Sequence, residues 1–511
     1  MRRPRLRSAV VATAAAVAVV ALAPGAAQAA PGDPAPGSPA YLARDAQNIA
    51  DAYGRQTAPD GQLTPAYGLA NAQVIGPVYA QQLLAQAATP TRPALSPGMA
   101  VPGWNSGNPY RAGWDGSRGQ ITPVTFTNRY GALIRGDVFT PLPGAHDPYT
   151  GRELTGPFPG VVITTGSVQG SERMYWWLAE DLAERGYVVL TYDVQGQGTS
   201  ETLPHQGSVD DLPYCDLAAA PLAGEQTSCP GAPAQQTSNF VYGTEDAISF
   251  FLSTPAKPYP NPSAGSAPVN AYNPMWRQFD RSPDPHPSTP GRTTRLAIAG
   301  HSLGALAVSY VQAVDPRVAA VVALDKLTTT PAIGGQPAFD AQGPLKPVVP
   351  GLGVQSEYGF NVAPYFANAG LFDPTAAPAS PTQAPDPYRE EKTGYAGWKA
   401  AGVDSMVIVP RASTHLEYTD ISYVLPASRY GQDVASHYAQ AWIDKYVKHD
   451  GAADAALLAT SFRYLEPTAT GWHAVTLTRA DRLSFYFCSG YDFRTAHGRA
   501  VDDDIAGVGC H

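Results

Sequence analysis

Gly300-His301-Ser302-Leu303-Gly304 sets one serine between two glycines, and its flanks are those of a strand and a helix. Arg295-Leu296-Ala297-Ile298-Ala299 reads as a short buried strand, and Ala305-Leu306-Ala307-Val308-Ser309-Tyr310-Val311 has the composition and apolar spacing of a helix. A sharp turn between the two holds the central serine in a strained backbone conformation, with its hydroxyl exposed and a helix N-terminus behind it. Glycines on either side leave room for the close approach of strand and helix. The chemistry such a turn serves is attack by the Ser302 hydroxyl on an electrophilic carbon.

A serine hydroxyl is a poor nucleophile until a base takes its proton and a third group holds that base. For a strand–turn–helix serine the order along the chain is serine, acid, histidine. Of ten histidines, His415 is placed to be the base. It lies in Arg411-Ala412-Ser413-Thr414-His415-Leu416-Glu417-Tyr418, just after the strand-like Met406-Val407-Ile408-Val409-Pro410 and before a closing helical pattern. His437, His449, His473, His497 and His511 are expected to be solvated. For the acid, Glu357 ranks first because it ends the segment preceding the last strand. Asp325, at the end of Val321-Val322-Ala323-Leu324, ranks second, and Asp373 third. Asp193 precedes the serine and is expected to fix the Gly196-Gln197-Gly198 turn.

Acyl transfer also needs backbone donors for a tetrahedral oxyanion. The amide of Leu303 is one expected donor. The amide of Ser167, in Gly166-Ser167-Val168-Gln169-Gly170, is the other. No metal or organic cofactor is required by this set.

The surrounding pattern explains how these residues would be brought together. Strand-like runs at 123–127, 133–139, 161–165, 187–193, 318–324 and 405–410 alternate with helical patterns at 175–185, 239–253 and 433–448. This predicts an α/β fold with a mainly parallel central sheet and helices on both faces. Two long insertions, 202–238 and 254–291, are expected to rim the site. Short helical patterns at 41–53 and 72–88 form an N-terminal extension over 30–120, expected to pack as a belt. The main domain is expected over 121–450. A C-terminal extension over 451–511 contains the strand-like Arg482-Leu483-Ser484-Phe485-Tyr486-Phe487 and reads as an appended hairpin or small sheet.

Residues 1–29 have a basic start, an apolar core and Ala27-Gln28-Ala29, the pattern of a secretory signal peptide. The expectation is a secreted, extracellular protein without stable membrane insertion. A formal net charge of -9 and no basic cluster after the leader argue against nucleic acid as a partner. Four cysteines in an oxidising compartment are expected to pair, and four cysteines allow three connectivities. The local solution, Cys215 with Cys229 and Cys488 with Cys510, is preferred because each pair closes one irregular segment.

Over roughly 124–450 the chain resembles the α/β-hydrolase superfamily. Within it the likeness is to secreted bacterial cutinase-like and polyester-degrading esterases, and to dienelactone hydrolases and platelet-activating-factor acetylhydrolases. It rests on Gly166-Ser167 followed by Trp176-Trp177, on Arg185-Gly186-Tyr187-Val188-Val189-Leu190-Thr191-Tyr192-Asp193, and on the serine pentad. The His415 loop and Ala441-Trp442-Ile443-Asp444-Lys445-Tyr446 continue it. Polyester hydrolases have an aromatic where this chain has Ser167 and a methionine where it has Leu303, and their acid falls near Gly359. The resemblance implies a serine esterase acting on a small-molecule or polymeric ester. A peptidase or amidase of the same fold, or a non-catalytic binding protein built on it, are the alternative readings.

Overall fold

Short runs of aliphatic and β-branched residues, each stopped by glycine, proline or aspartate, make the strands that carry the site. The computed structural model describes residues 33–88, 107–167, 170–201, 237–329, 332–333, 336–337, 345–364, 380–392, 394–420 and 428–510. Strands β1 (Gly119–Thr127) and β2 (Leu133–Pro141) form a hairpin, followed by β3 (Gly160–Thr164), β4 (Val188–Tyr192), β5 (Leu296–His301) and β6 (Ala320–Leu324). After the two-residue strands β7 (Ala332–Ile333) and β8 (Gln336–Pro337) come β9 (Gly351–Val354) and β10 (Ser405–Ile408). The chain ends with β11 (Ser461–Thr468), β12 (Gly471–Thr478), β13 (Gly490–Thr495) and β14 (Gly498–Asp502).

Ten of these form one sheet in the order β1-β2-β4-β3-β5-β6-β9-β10-β13-β14. The six strands from β4 to β10 run parallel. An antiparallel pair closes each edge.

The helices are α1 (Pro39–Thr57), α2 (Pro65–Ala88), α3 (Trp176–Ala183), α4 (Thr237–Phe251), α5 (Leu303–Val314), α6 (Tyr395–Ala400), α7 (Tyr430–Ile443) and α8 (Ala453–Leu458). Successive strand residues point to opposite faces. Val162, Leu190, Ile298 and Val321 accordingly pack with Phe240 and Ile248 of α4 and Val308 of α5. Their neighbours Val161, Val189, Ala297 and Val322 pack with Trp177 of α3 and Val434 and Trp442 of α7. All are buried. At about 1.5–3 kcal/mol for each large apolar side chain, this two-faced core dominates the stabilisation of the sheet that aims the site residues.

The terminal segments are part of this body. Helix α1 begins at Ser38, whose side chain accepts from the Tyr41 amide. It lays Tyr41 and Ala52 against Tyr358, Val409 and Ala412. Arg111 is buried and meets Glu180 and Asp181 of α3 at 2.9 and 3.0 Å, and the Tyr464 hydroxyl of β11 at 3.0 Å. At the other terminus, Arg482 to Phe487 do not form a strand: Leu483 makes a single bridge to Pro410. The strands are β13 and β14, which extend the main sheet beside β10. Cys488 and Cys510 pair beside them, with Cα atoms 6.3 Å apart. Cys215 and Cys229 lie outside the described residues, as do 1–32 and nearly all of the first insertion.

The second insertion is held at the start of β3 and along the outer strand β1. Phe158, which leads into β3, exchanges backbone hydrogen bonds with Gln278 and Asp280, at the end of the strand remote from Ser302. Asn261 and Asn270 accept from Thr127 and Thr125 on the outer strand β1.

Candidate active site

Ser302 joins β5 to α5 with φ 55° and ψ −120°. For a residue with a Cβ this is a strained conformation, costing of order 1–3 kcal/mol. The flanking glycines explain why the turn closes. A Cβ on Gly300 would collide with the Gly304 carbonyl, and one on Gly304 would collide with the carbonyls of Thr164 and Thr165 at the end of β3. Ser302 occupies the N-cap position of α5, yet its side chain caps no helix amide. The Leu303 amide opens α5, where the first N–H groups lack intrahelical acceptors and the helix dipole favours negative charge. Ser167 follows β3 across the Thr165-Gly166 step, so both expected oxyanion donors lie at the C-terminal ends of adjacent strands.

The sheet register sets which carboxylate meets His415. His301 pairs with Leu324 across β5 and β6. The Ser302 amide donates to the Leu324 carbonyl at 2.9 Å. The residue after Leu324, Asp325, therefore stands beside the nucleophile turn. Its Oδ2 lies 2.6 Å from His415 Nδ1. The Ser356 hydroxyl donates to Oδ2 at 2.6 Å and the Ser356 amide to Oδ1 at 3.1 Å. Burial opposes ionisation of Asp325, but the hydrogen bond and charge of His415 and the two bonds from Ser356 outweigh it. The carboxyl is held well below the usual carboxylate range.

Glu357, ranked first as the acid, does not meet His415. It is wholly buried, and its Oε2 accepts from Asn48 Nδ2 of α1 and from the Ala412 amide, each at 2.6 Å. The physical reason is register: β9 ends at Val354, and Ser356 reaches Asp325 while the next residue turns to α1 and the base loop. Asp373 lies outside the described residues.

His415 is carried on a loop pinned at several points. Its amide donates to the Gly359 carbonyl at 2.7 Å, and the Tyr358 amide donates to the Ser413 carbonyl at 2.9 Å. Ala412, with φ 56°, is the bend that the Glu357 carboxylate stabilises. Trp177 Nε1 reaches the Tyr418 carbonyl at 3.2 Å, which ties α3 to the same loop. Phe360 packs its ring 5.3 Å from that of His415.

Three further polar residues singled out by the sequence, Asp193, His437 and His449, have structural partners. Asp193 accepts from the amides of Glu172 and Thr199 at 2.7 and 2.6 Å, and a Cβ on Gly198 would collide with its carboxylate. This is the turn it was expected to hold. His437, expected in solvent, instead stacks on Phe462 with ring centroids 3.8 Å apart, and burial pushes its imidazole down to about 4. His449 lies 2.6 Å from Asp284 Oδ2.

His301 is not singled out by spacing, yet it links Tyr175 to the His415 loop. Its Nδ1 lies 2.8 Å from the Tyr175 hydroxyl and its Nε2 lies 2.9 Å from the His415 carbonyl. The cue in sequence is only that a histidine, and not a small or apolar residue, precedes the serine.

Among the described residues no helix is long and apolar enough to cross a membrane. No family model matches the chain. A stretch of 150 residues is 29% identical to an uncharacterised protein of Pseudomonas aeruginosa, covering 28% of this chain and 38% of that protein. The similarity thus spans well under two thirds of either chain.

Proposed function

We propose that the protein is a secreted serine hydrolase of the α/β-hydrolase fold that cleaves carboxylic esters through an acyl-enzyme. The observation that carries this reading is the meeting of three separate chain segments: Ser302 in a strained strand-to-helix turn, with Asp325 and His415 hydrogen-bonded at 2.6 Å beside it. The chain order serine, acid, histidine and the six parallel central strands support the same fold.

In this mechanism Ser302 Oγ attacks the ester carbonyl carbon as His415 Nε2 takes its proton. Asp325 holds Nδ1–H, which fixes the tautomer and stabilises the imidazolium that forms. The carbonyl oxygen becomes an oxyanion received by the amides of Ser167 and Leu303. The tetrahedral adduct collapses, the C–O bond to the alcohol breaks, and His415 returns its proton to the departing oxygen. Water, deprotonated by His415, then attacks the acyl-enzyme and releases the acid and Ser302. Cleavage of the leader near Ala29 and export complete the reading, with a small-molecule or polymeric ester as substrate.

The test is labelling of the mature protein by a fluorophosphonate probe, beside hydrolysis of short-chain p-nitrophenyl esters, for wild type and Ser302→Ala. Labelling and turnover lost together in the variant is the expected result. A folded wild type that neither labels nor turns over ester overturns the proposal and favours a binding role. Matched amide substrates cleaved faster than esters would make it an amidase.

A further inference from the structure

We propose that Tyr175 and His301 are positioning residues that lock the oxyanion loop, the nucleophile turn and the base loop into one geometry. This rests on the serine-hydrolase reading above and adds to it two side chains that touch no reacting atom.

The relay has three bonds. The Gly166 amide lies 2.8 Å from the Tyr175 hydroxyl, that hydroxyl 2.8 Å from His301 Nδ1, and His301 Nε2 2.9 Å from the His415 carbonyl. The two ends decide the direction of the outer bonds. A backbone amide only donates, so the Tyr175 oxygen accepts from Gly166; a carbonyl only accepts, so His301 carries its proton on Nε2. Burial, and after it the charge of His415, hold the His301 imidazole well below its usual range, so the ring is neutral. Its Nδ1 is then an acceptor, and the Tyr175 hydroxyl donates into it. Every bond of the relay then has a single direction.

The positions matter as much as the bonds. Gly166 immediately precedes Ser167, His301 immediately precedes Ser302, and the far carbonyl belongs to His415 itself. Tyr175 and His301 are 1% and 3% exposed, so water does not substitute for either partner. A Cβ on Gly166 would lie 2.8 Å from the Tyr175 oxygen and 2.9 Å from His301 Nδ1, so glycine is needed there for the relay to close. The neutral state also serves the chemistry. The rings of His301 and His415 have centroids 4.5 Å apart, and a cation at His301 would oppose the imidazolium that must form at His415 during attack.

The experiment compares wild type, Tyr175→Phe and His301→Gln in the mature protein. Readouts are kcat and KM on p-nitrophenyl butyrate, inhibition by a phenylboronic acid, and thermal melting. Phenylboronic acid forms a tetrahedral adduct with an active serine and so reports on the geometry of the oxyanion site. Tyr175→Phe deletes one hydroxyl and keeps the ring. We expect kcat to fall tenfold or more with KM changed less than threefold, and boronate affinity to fall in parallel with kcat/KM. A purely structural role would lower the melting temperature and leave kcat and boronate affinity of the folded fraction unchanged. That result in either folded variant overturns the proposal, and His301→Gln decides it if Tyr175→Phe does not fold. A wild type inert to both fluorophosphonate and ester would overturn the hydrolase reading itself, and is told apart by the wild-type arm alone.

Discussion

Asn48 Nδ2 donates a hydrogen bond of 2.6 Å to Glu357 Oε2, across 309 residues of chain. The same oxygen receives the Ala412 amide at 2.6 Å. One buried carboxylate thus joins the N-terminal helix α1 to the bend that carries His415. Burial raises the Glu357 carboxyl, against bonds from Ser484, Ala412 and Asn48 that favour its charged form. Its work is architectural. Asp325 is the carboxylate that faces His415.

Paired substitutions separate these two roles. Asp325→Asn removes the acceptor that holds His415 Nδ1–H and favours the wrong tautomer, so kcat should fall roughly a thousandfold or more, with the melting temperature also lowered by loss of the stabilised charge. Glu357→Gln leaves the Ala412 amide or the Asn48 amide poorly matched in a dry site, costing about 1–3 kcal/mol of stability. Its kcat should stay within tenfold of wild type. Ester kinetics and thermal melts of both variants check this. The assignment is wrong if Glu357→Gln abolishes turnover and Asp325→Asn spares it.

How these roles divide is only half legible in the sequence. The nucleophile turn is readable because steric need writes itself into residue types: the two glycines of the pentad sit where any Cβ would strike a carbonyl. His415 is readable as the candidate base because it follows a well-marked strand. The acid is not, because β9 is Gly351-Leu352-Gly353-Val354, and two glycines in four residues mask a strand that neighbours alone define. Without β9 the segment ending at Glu357 looks like the acid's usual source. His301 and Tyr175 are invisible for a different reason: their function exists only in contacts between residues 126 and 114 positions apart. At the C-terminus, Arg482 to Phe487 has strand-like composition, but Leu483 finds a partner only in Pro410, so composition alone misplaces the sheet edge.

The nucleophile turn gives a second expectation. Gly304→Ala introduces a Cβ against two carbonyls that end β3, and neither is a flexible side chain able to step aside. The backbone must shift instead, moving Ser302, Leu303 and the oxyanion loop together. Fluorophosphonate labelling should fall by at least tenfold even where the melting temperature drops only a few degrees. Labelling at the wild-type rate would mean that the turn tolerates the added carbon and that its geometry is not what sets reactivity.

Arg111 gives a third. It sits 3% exposed between Glu180 and Asp181, which are similarly buried, and also meets the Tyr464 hydroxyl. Burial pushes the Glu180 carboxyl up to about 8, although the charge and hydrogen bonds of Arg111 pull the other way. Arg111→Met removes the compensating cation from between two buried acidic side chains, a change that typically costs about 3–5 kcal/mol. Chemical denaturation should register that loss. A midpoint within experimental error of wild type would mean that the segment around Arg111 contributes little to holding α3 against β11.

The last expectation concerns pH, and it comes from a pair of carboxyls behind the oxyanion loop. Asp137 on β2 and Glu172 beside α3 share a hydrogen bond, and Thr191 on β4 donates to Glu172 Oε2 at 2.7 Å. Burial raises Asp137 to about 6, against the Arg173 charge and the Glu172 hydrogen bond, while Asp193 and Asp115 push it further up. Glu172 is raised well above its ordinary range, by burial first and then by the charges of Asp137 and Asp193. An acid whose folded pKa exceeds its unfolded value binds its proton more tightly when folded. Its contribution therefore favours the folded state at low pH and is lost as pH rises from about 4 to about 6, then stays constant. Two pKa units correspond to about 3 kcal/mol. Asp137→Asn cannot ionise, so the difference in unfolding free energy between variant and wild type should grow in the variant's favour across that window. Denaturation at pH 4, 5, 6 and 7 measures it directly. A difference independent of pH would show that Asp137 keeps an ordinary carboxyl pKa in the folded protein, and that the pair does not share a proton.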